Sequence, residues 1–67
     1  MINQIEYYAQ KILKTMASIE NKTKKLFHEI YPDLEGKFWQ AREDDDLKGL
    51  RQISFKLDKI IDEINRG

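Results

Sequence analysis

The chain has 67 residues, with twelve basic side chains, twelve acidic side chains and no cysteine. A chain of this length forms one small domain, residues 1–67, and neither disulfides nor a thiolate zinc site can brace it. The balanced charge disfavours nucleic acid as a partner, and apolar runs of two or three residues are far too short for a membrane span or a signal segment. We therefore expect a cytoplasmic protein that does not bind membranes.

The first predicted element is a long helix over about residues 2–30. Its apolar residues recur at alternating steps of three and four for about four heptads, which is the pattern of a coiled coil or helical bundle. This seam consists of Ile2, Ile5, Ala9, Ile12, Met16, Ile19, Thr23, Leu26 and Ile30. Neither Gly nor Pro interrupts it. Pro32 ends the helix, because a proline biases the residue before it away from helical backbone angles.

The middle of the chain, residues 31–46, is irregular and predicts a short connecting helix at about 34–43. Asp33 can cap this helix, and Gly36 weakens it. Phe38 and Trp39 are adjacent here, and two large rings carry too much apolar surface to be left wholly exposed.

The last helix is predicted at about residues 45–65. Its apolar stripe consists of Leu47, Leu50, Ile53, Leu57, Ile60, Ile61 and Ile64, with Ser54 as a polar member. Three aspartates precede the stripe, where a helix dipole favours acidic groups. A single helix over 33–65 is the alternative, but the apolar phase changes between Ala41 and Leu47 and favours a break.

The fold class is therefore all-α, a helical hairpin or bundle. Two long helices with apolar stripes cannot both be covered in one chain of this length unless the middle segment folds over them. A symmetric homodimer solves the same problem by burying the stripes between subunits. We expect the homodimer.

Neither His28 nor the acidic run 43–46 predicts catalytic or metal chemistry. His28 is the only imidazole, and it projects from the polar face of the first helix without a nucleophile beside it. On the calcium-loop template the run places Lys48 at a ligand position and Phe55 where the bidentate Glu belongs, so helix capping is the better account. We expect no metal and no cofactor, and the sequence favours a protein that is not an enzyme.

Aromatic side chains near charged groups indicate surfaces for another protein. The predicted protein-binding residues are Phe38, Trp39, Arg51, Phe55, Asp58 and Asp62. An exposed Phe55 among charges on the flank of the last helix is typical of a recognition surface. The alternative is that Phe55 packs under Trp39 or against a second subunit. The acidic run beside Trp39 is either a cap or a docking patch for a basic partner.

Residues 50–63 resemble the second helix of a known family, the small aspartyl-phosphate phosphatases that regulate sporulation in bacilli. Ser54, Leu57 and Asp58 match the family's S-Q-E-L-D signature, whereas Phe55 and Lys56 stand where the family has Gln and Glu. The apolar frame and part of the first helix match at Ile53, Ile60, Ile61, Ile19, Glu20, Leu26 and Phe27. The resemblance implies a helical hairpin that docks on a phosphorylated response regulator and promotes aspartyl-phosphate hydrolysis.

Three functions follow from these patterns. The first is a small non-enzymatic helical module, a regulator, inhibitor or adaptor of bacterial or phage type, that binds another protein. The alternative is the phosphatase-like regulator, for which the resemblance implies Asp58 near the reacting centre and Ser54 on the active surface. Nucleic-acid binding through Lys22, Lys24 and Lys25 is the third and weakest, because three lysines make a small phosphate footprint.

Overall fold

The protein is all-α over residues 3–67, the part of the chain that its computed structural model describes. The helices are α1 (Gln4–Thr23), α2 (Phe27–Ile30), α3 (Pro32–Glu43) and α4 (Leu47–Arg66). The predicted fold class is confirmed, and so is the break between the connecting helix and the last helix. The predicted helix start at Ile2 lies outside the described residues.

Helix α1 begins at an asparagine cap and buries one face along its length. The Asn3 side-chain oxygen accepts hydrogen bonds from the backbone N–H groups of Ile5 (3.0 Å) and Glu6 (3.4 Å), which would otherwise lack partners at a helix start. The predicted seam is buried through the middle of the helix, at Ala9, Ile12, Met16 and Ile19.

The prediction of one helix as far as Ile30 is wrong beyond Thr23. Lys24 takes a left-handed conformation (φ 61°), and its N–H donates to the carbonyl oxygen of Glu20 at 2.8 Å, a common way for a helix to end. The next turn leaves Leu26 half exposed and brings Phe27 into the core, where it is 2% exposed. Burying the larger aromatic side chain therefore takes precedence over continuing the heptad seam through Leu26.

We expect Lys24→Gly to raise the free energy of unfolding by about 1 kcal/mol, because glycine occupies the left-handed region without steric cost. Urea denaturation measures the change. Lys22→Gly is the matched control, since Lys22 lies inside α1, where glycine should lower stability by about 1 kcal/mol. Equal destabilisation by both substitutions would contradict a left-handed residue at Lys24.

Helix α3 starts two residues earlier than predicted, at Pro32, which occupies the first turn where a missing N–H has no cost. After α3, Asp46 caps α4 by accepting a hydrogen bond from the N–H of Gly49 at 3.0 Å. A Cβ on Gly49 would lie 2.6 Å from the Asp46 carboxylate, so any other residue there would displace the capping group. The capping interpretation of the acidic run is confirmed at Asp46.

The long helices α1 and α4 run parallel and pack directly against each other, and α3 packs mainly against α4 and runs in the opposite direction. Lys11 of α1 forms an ion pair with Asp58 of α4. Seven residues earlier in each helix, Gln4 of α1 and Arg51 of α4 line the same depression, so the two helices point in the same direction. A side chain at Gly49 would contact Ala41 of α3, near the end of α3 and the start of α4. The result is an up-down-up bundle of 37 × 22 × 15 Å.

Helices α2 and α3 close the core within one chain. Its buried residues are Ala9, Ile12, Met16, Ile19, Phe27, Phe38, Ala41, Leu50, Ile53 and Leu57. Phe27, Phe38 and Ala41 come from α2 and α3, which thus fold over the stripes of α1 and α4. This is the arrangement that the sequence left open beside the dimer, so burial of the stripes does not itself require a second subunit.

Candidate interaction surface on helix α4

Phe55 is the centre of the exposed side of α4. The side chain is 62% exposed, more than any other large hydrophobic residue in the described chain. It lies opposite the buried stripe of Leu50, Ile53 and Leu57, because residues five, two and two positions away project to the other side of a helix. Phe55 therefore does not pack under Trp39, which was one of the two alternatives for its place.

Charged and polar side chains surround Phe55 on α4. The Lys59 ammonium lies 4.7 Å from the centre of the Phe55 ring, a cation–π contact. Lys48, Arg51, Gln52 and Lys56 line a shallow depression with Phe55. We use the name outer face of α4 for seven of the exposed residues on this side, which are Lys48, Arg51, Gln52, Phe55, Asp58, Lys59 and Asp62.

The acidic members of the outer face already form ion pairs, whereas its basic members form none within residues 3–67. Asp58 lies 3.7 Å from Lys11 of α1, and Asp62 lies 3.0 Å from Arg66 one turn further along α4. Among residues 3–67, neither Lys48 nor Arg51 forms an ion pair. The pairs that exist are exposed, so each can be exchanged for another partner at little cost.

Trp39 lies on a different side of the molecule. Its indole N–H donates to the Glu35 carboxylate at 3.3 Å, and the Arg42 guanidinium lies 5.8 Å from the ring centre. Arg42 also approaches Glu6 of α1 at 3.9 Å, so this side of α3 faces α1. Trp39 is 46% exposed but does not join the outer face of α4.

Phe38, the other aromatic residue of the predicted binding set, has no exposed surface. It is among the largest fully buried side chains, and its ring packs 4.9 Å from that of Trp39, measured between ring centres. The predicted set therefore separates into a core residue, a residue facing the α1 side, and four residues that share the outer face of α4. Those four are Arg51, Phe55, Asp58 and Asp62.

The remaining candidate groups lie on α2, not on the first helix as predicted for His28, and at the connection between α3 and α4. His28 is exposed, with Nδ1 3.9 Å from a Glu35 carboxylate oxygen. Asp44 accepts a hydrogen bond from the Gln40 side chain, so the acidic run serves the α3–α4 connection in two ways. Within residues 3–67 no group of three or more His, Cys, Asp or Glu side chains is arranged to hold a metal ion.

The two residues that the phosphatase resemblance singles out have different environments. Asp58 is exposed on the outer face of α4, where a docked protein can reach it. Ser54 is 5% exposed and belongs to the buried side of the helix. A hydroxyl in that position cannot contact a reacting group on another protein unless α4 moves.

Sequence reasoning missed Lys48 and Lys59 as members of this surface. The signal was present, because Lys48 precedes Phe55 by seven residues and Lys59 follows it by four. Both spacings return to the same side of a helix.

None of the helices described between residues 3 and 67 combines the length and apolar character needed to cross a membrane. Comparisons of the chain with protein-family models, with curated proteins and with solved structures give no match.

Proposed function

We propose that the protein is a small non-enzymatic helical module that acts in the cytoplasm by binding another protein, as a regulator, inhibitor or adaptor of bacterial or phage type. The outer face of α4 is the surface that binds. The observation that supports this most is the 62% exposure of Phe55 at the centre of a charged helix face.

An aromatic ring that is exposed on the isolated chain gains free energy when a complex buries it. Full burial of a Phe side chain is worth about 1.5–3 kcal/mol, and this gain is unused in the isolated chain. Interfaces typically consist of a few such apolar anchors inside a polar rim, and aromatic residues and Arg are enriched among the anchors. Phe55 with Arg51 beside it, inside a rim of charged side chains, has this composition.

Site-specific photo-cross-linking tests the proposal. A photoreactive benzophenone amino acid replaces Phe55, and the protein is irradiated in cells of its source organism. We expect a covalent adduct of defined mass from position 55, because the ring is in van der Waals contact with a partner. Mass spectrometry of the adduct identifies the protein that was bound.

The matched control places the same photoreactive residue at Leu26, which is 50% exposed but lies between α1 and α2. Position 26 should give no adduct of that mass. Arg51→Glu in the position-55 protein should reduce the adduct at least about fivefold, because it reverses a charge beside the anchor. Adducts of the same kind and amount from both positions would contradict a binding surface on α4.

The phosphatase-like alternative stays a prediction from the resemblance. The exposure of Asp58 is compatible with it, whereas the burial of Ser54 is not. The interaction module requires only an accessible outer face of α4, and we therefore favour it.

A further inference from the structure

On the outer face of α4 two basic residues precede Phe55 and two acidic residues follow it, with Lys59 as a further basic residue after Phe55. Lys48 lies seven residues before Phe55, and Asp62 lies seven residues after it. Arg51 precedes Phe55 by four residues and Asp58 follows it by three, both on the flank of α4 that faces α1. A pattern of this kind is complementary to itself when one copy is reversed in direction.

We propose that the outer face of α4 binds a second copy of this chain, with the two α4 helices antiparallel and a two-fold axis near Phe55. This inference rests on the proposed function and names the partner of the same surface. In such a pair the same patch serves both subunits, as in most homodimers. The two Phe55 rings meet at the axis.

The antiparallel register brings opposite charges together. Positions equally far before and after the axis face each other, so Lys48 of one copy faces Asp62 of the second copy. In antiparallel helix pairs each flank meets the same flank of the other helix. Arg51 of one copy therefore faces Asp58 of the second copy, and the two-fold axis repeats each contact. On the other flank Gln52 faces Lys59, and the exposed Lys56 also lies on this flank, which therefore contributes no contact between opposite charges.

The same charges disfavour a parallel pair. It would place Lys48 opposite Lys48 and Asp62 opposite Asp62, and like charges facing each other are destabilising. The existing ion pairs do not prevent the antiparallel arrangement. Asp58 and Asp62 each contact their intramolecular partners through Oδ2, which leaves Oδ1 for a cation of the second copy.

Sedimentation equilibrium of the full chain over a hundredfold concentration range tests the pair. The natural sequence should show a reversible monomer–dimer equilibrium. Phe55→Ala should raise the dimer dissociation constant at least about tenfold, because it removes the anchor at the axis from both subunits. Leu26→Ala, a similarly exposed apolar position outside α4, should leave the constant within about twofold, as expected for a residue outside the interface.

Charge reversal tests the register itself. Lys48→Glu alone and Asp62→Lys alone should each raise the dissociation constant about threefold to tenfold, because each places like charges opposite one another. The double variant should have a dissociation constant within about threefold of the natural value. In it an acid at position 48 again faces a base at position 62 of the second copy, in both symmetry-related contacts. Asp62→Lys removes the exposed ion pair with Arg66, which costs little stability. An acid near the start of α4 and a base near its end agree with the helix dipole, so both variants should fold.

The outcomes separate the self-pairing from the proposed function. A chain that stays monomeric at every concentration, or a dimer indifferent to Phe55→Ala, overturns the α4 pair. A double variant that is weaker than both single variants overturns the register. If the chain is monomeric but position 55 cross-links to a different protein, the interaction module stands and the self-pairing fails. An adduct of twice the chain's mass supports both.

Discussion

Phe38→Ala should remove about 3–5 kcal/mol from the free energy of unfolding, the usual cost of truncating a fully buried aromatic ring to alanine. Phe38 has no exposed surface, and it is the largest side chain buried to this degree. A core of this size rarely supplies more than about 3–5 kcal/mol of net stability. The alanine variant should therefore be largely unfolded at 25 °C, with loss of helical signal in circular dichroism.

Two further variants make this result interpretable. Phe38→Leu keeps most of the buried volume and should fold, with a loss below about 1.5 kcal/mol in urea denaturation. Trp39→Ala should cost less than Phe38→Ala, because Trp39 is 46% exposed. Surface substitutions usually change the free energy of unfolding by less than about 1 kcal/mol. A Phe38→Ala protein whose free energy of unfolding lies within about 1 kcal/mol of that of the natural sequence would therefore contradict the placement of Phe38 in the core.

Glu20→Ala should lower the free energy of unfolding by about 1.5–3 kcal/mol, the range for a hydrogen bond to a charged group. The Glu20 carboxylate accepts a hydrogen bond from the N–H of Phe27 at 2.7 Å, across the turn that separates α1 from α2. This bond holds the backbone where Phe27 enters the core. Urea denaturation measures the loss, and hydrogen exchange of the Phe27 amide reports the bond directly.

Glu29→Ala is the matched control for charge, because Glu29 is an exposed acid on α2. It should change stability by less than about 0.5 kcal/mol, as surface substitutions usually do. Glu20→Gln keeps an acceptor oxygen, so its loss in the free energy of unfolding should lie between those of Glu20→Ala and Glu29→Ala. If Glu20→Ala and Glu29→Ala were equally mild, and the Phe27 amide stayed protected, the carboxylate would not be what fixes the turn.

Periodicity predicts the long helices of this fold but not the turn after α1. The stripes of α1 and α4 follow from apolar spacing, and Asp46 as a cap follows from its place before Leu47. The turn at Lys24 does not follow, because neither Gly nor Pro marks it. Its cause is a long-range preference, the burial of Phe27, together with a carboxylate seven residues earlier in the chain.

The candidate surface could be predicted only in part. Helical spacing places Arg51, Phe55, Asp58 and Asp62 together, and the structure keeps them together. Helical spacing does not predict which of the adjacent rings of Phe38 and Trp39 faces the core. Phe38 is buried and Trp39 half exposed because α3 packs against α4 through one side and faces α1 through another. The apolar pattern of α3 alone is too weak to settle that orientation.

The parallel course of α1 and α4 decides how the module can be connected to other protein segments. Asn3 lies where α1 begins, beside the start of α4, whereas Gly67 follows the far end of α4. A helix of 20 residues is about 30 Å long, so the two ends of the described chain are separated by roughly that length. Segments fused before Asn3 and after Gly67 would leave in opposite directions. The bundle would then act as a rigid spacer that keeps two attached domains apart.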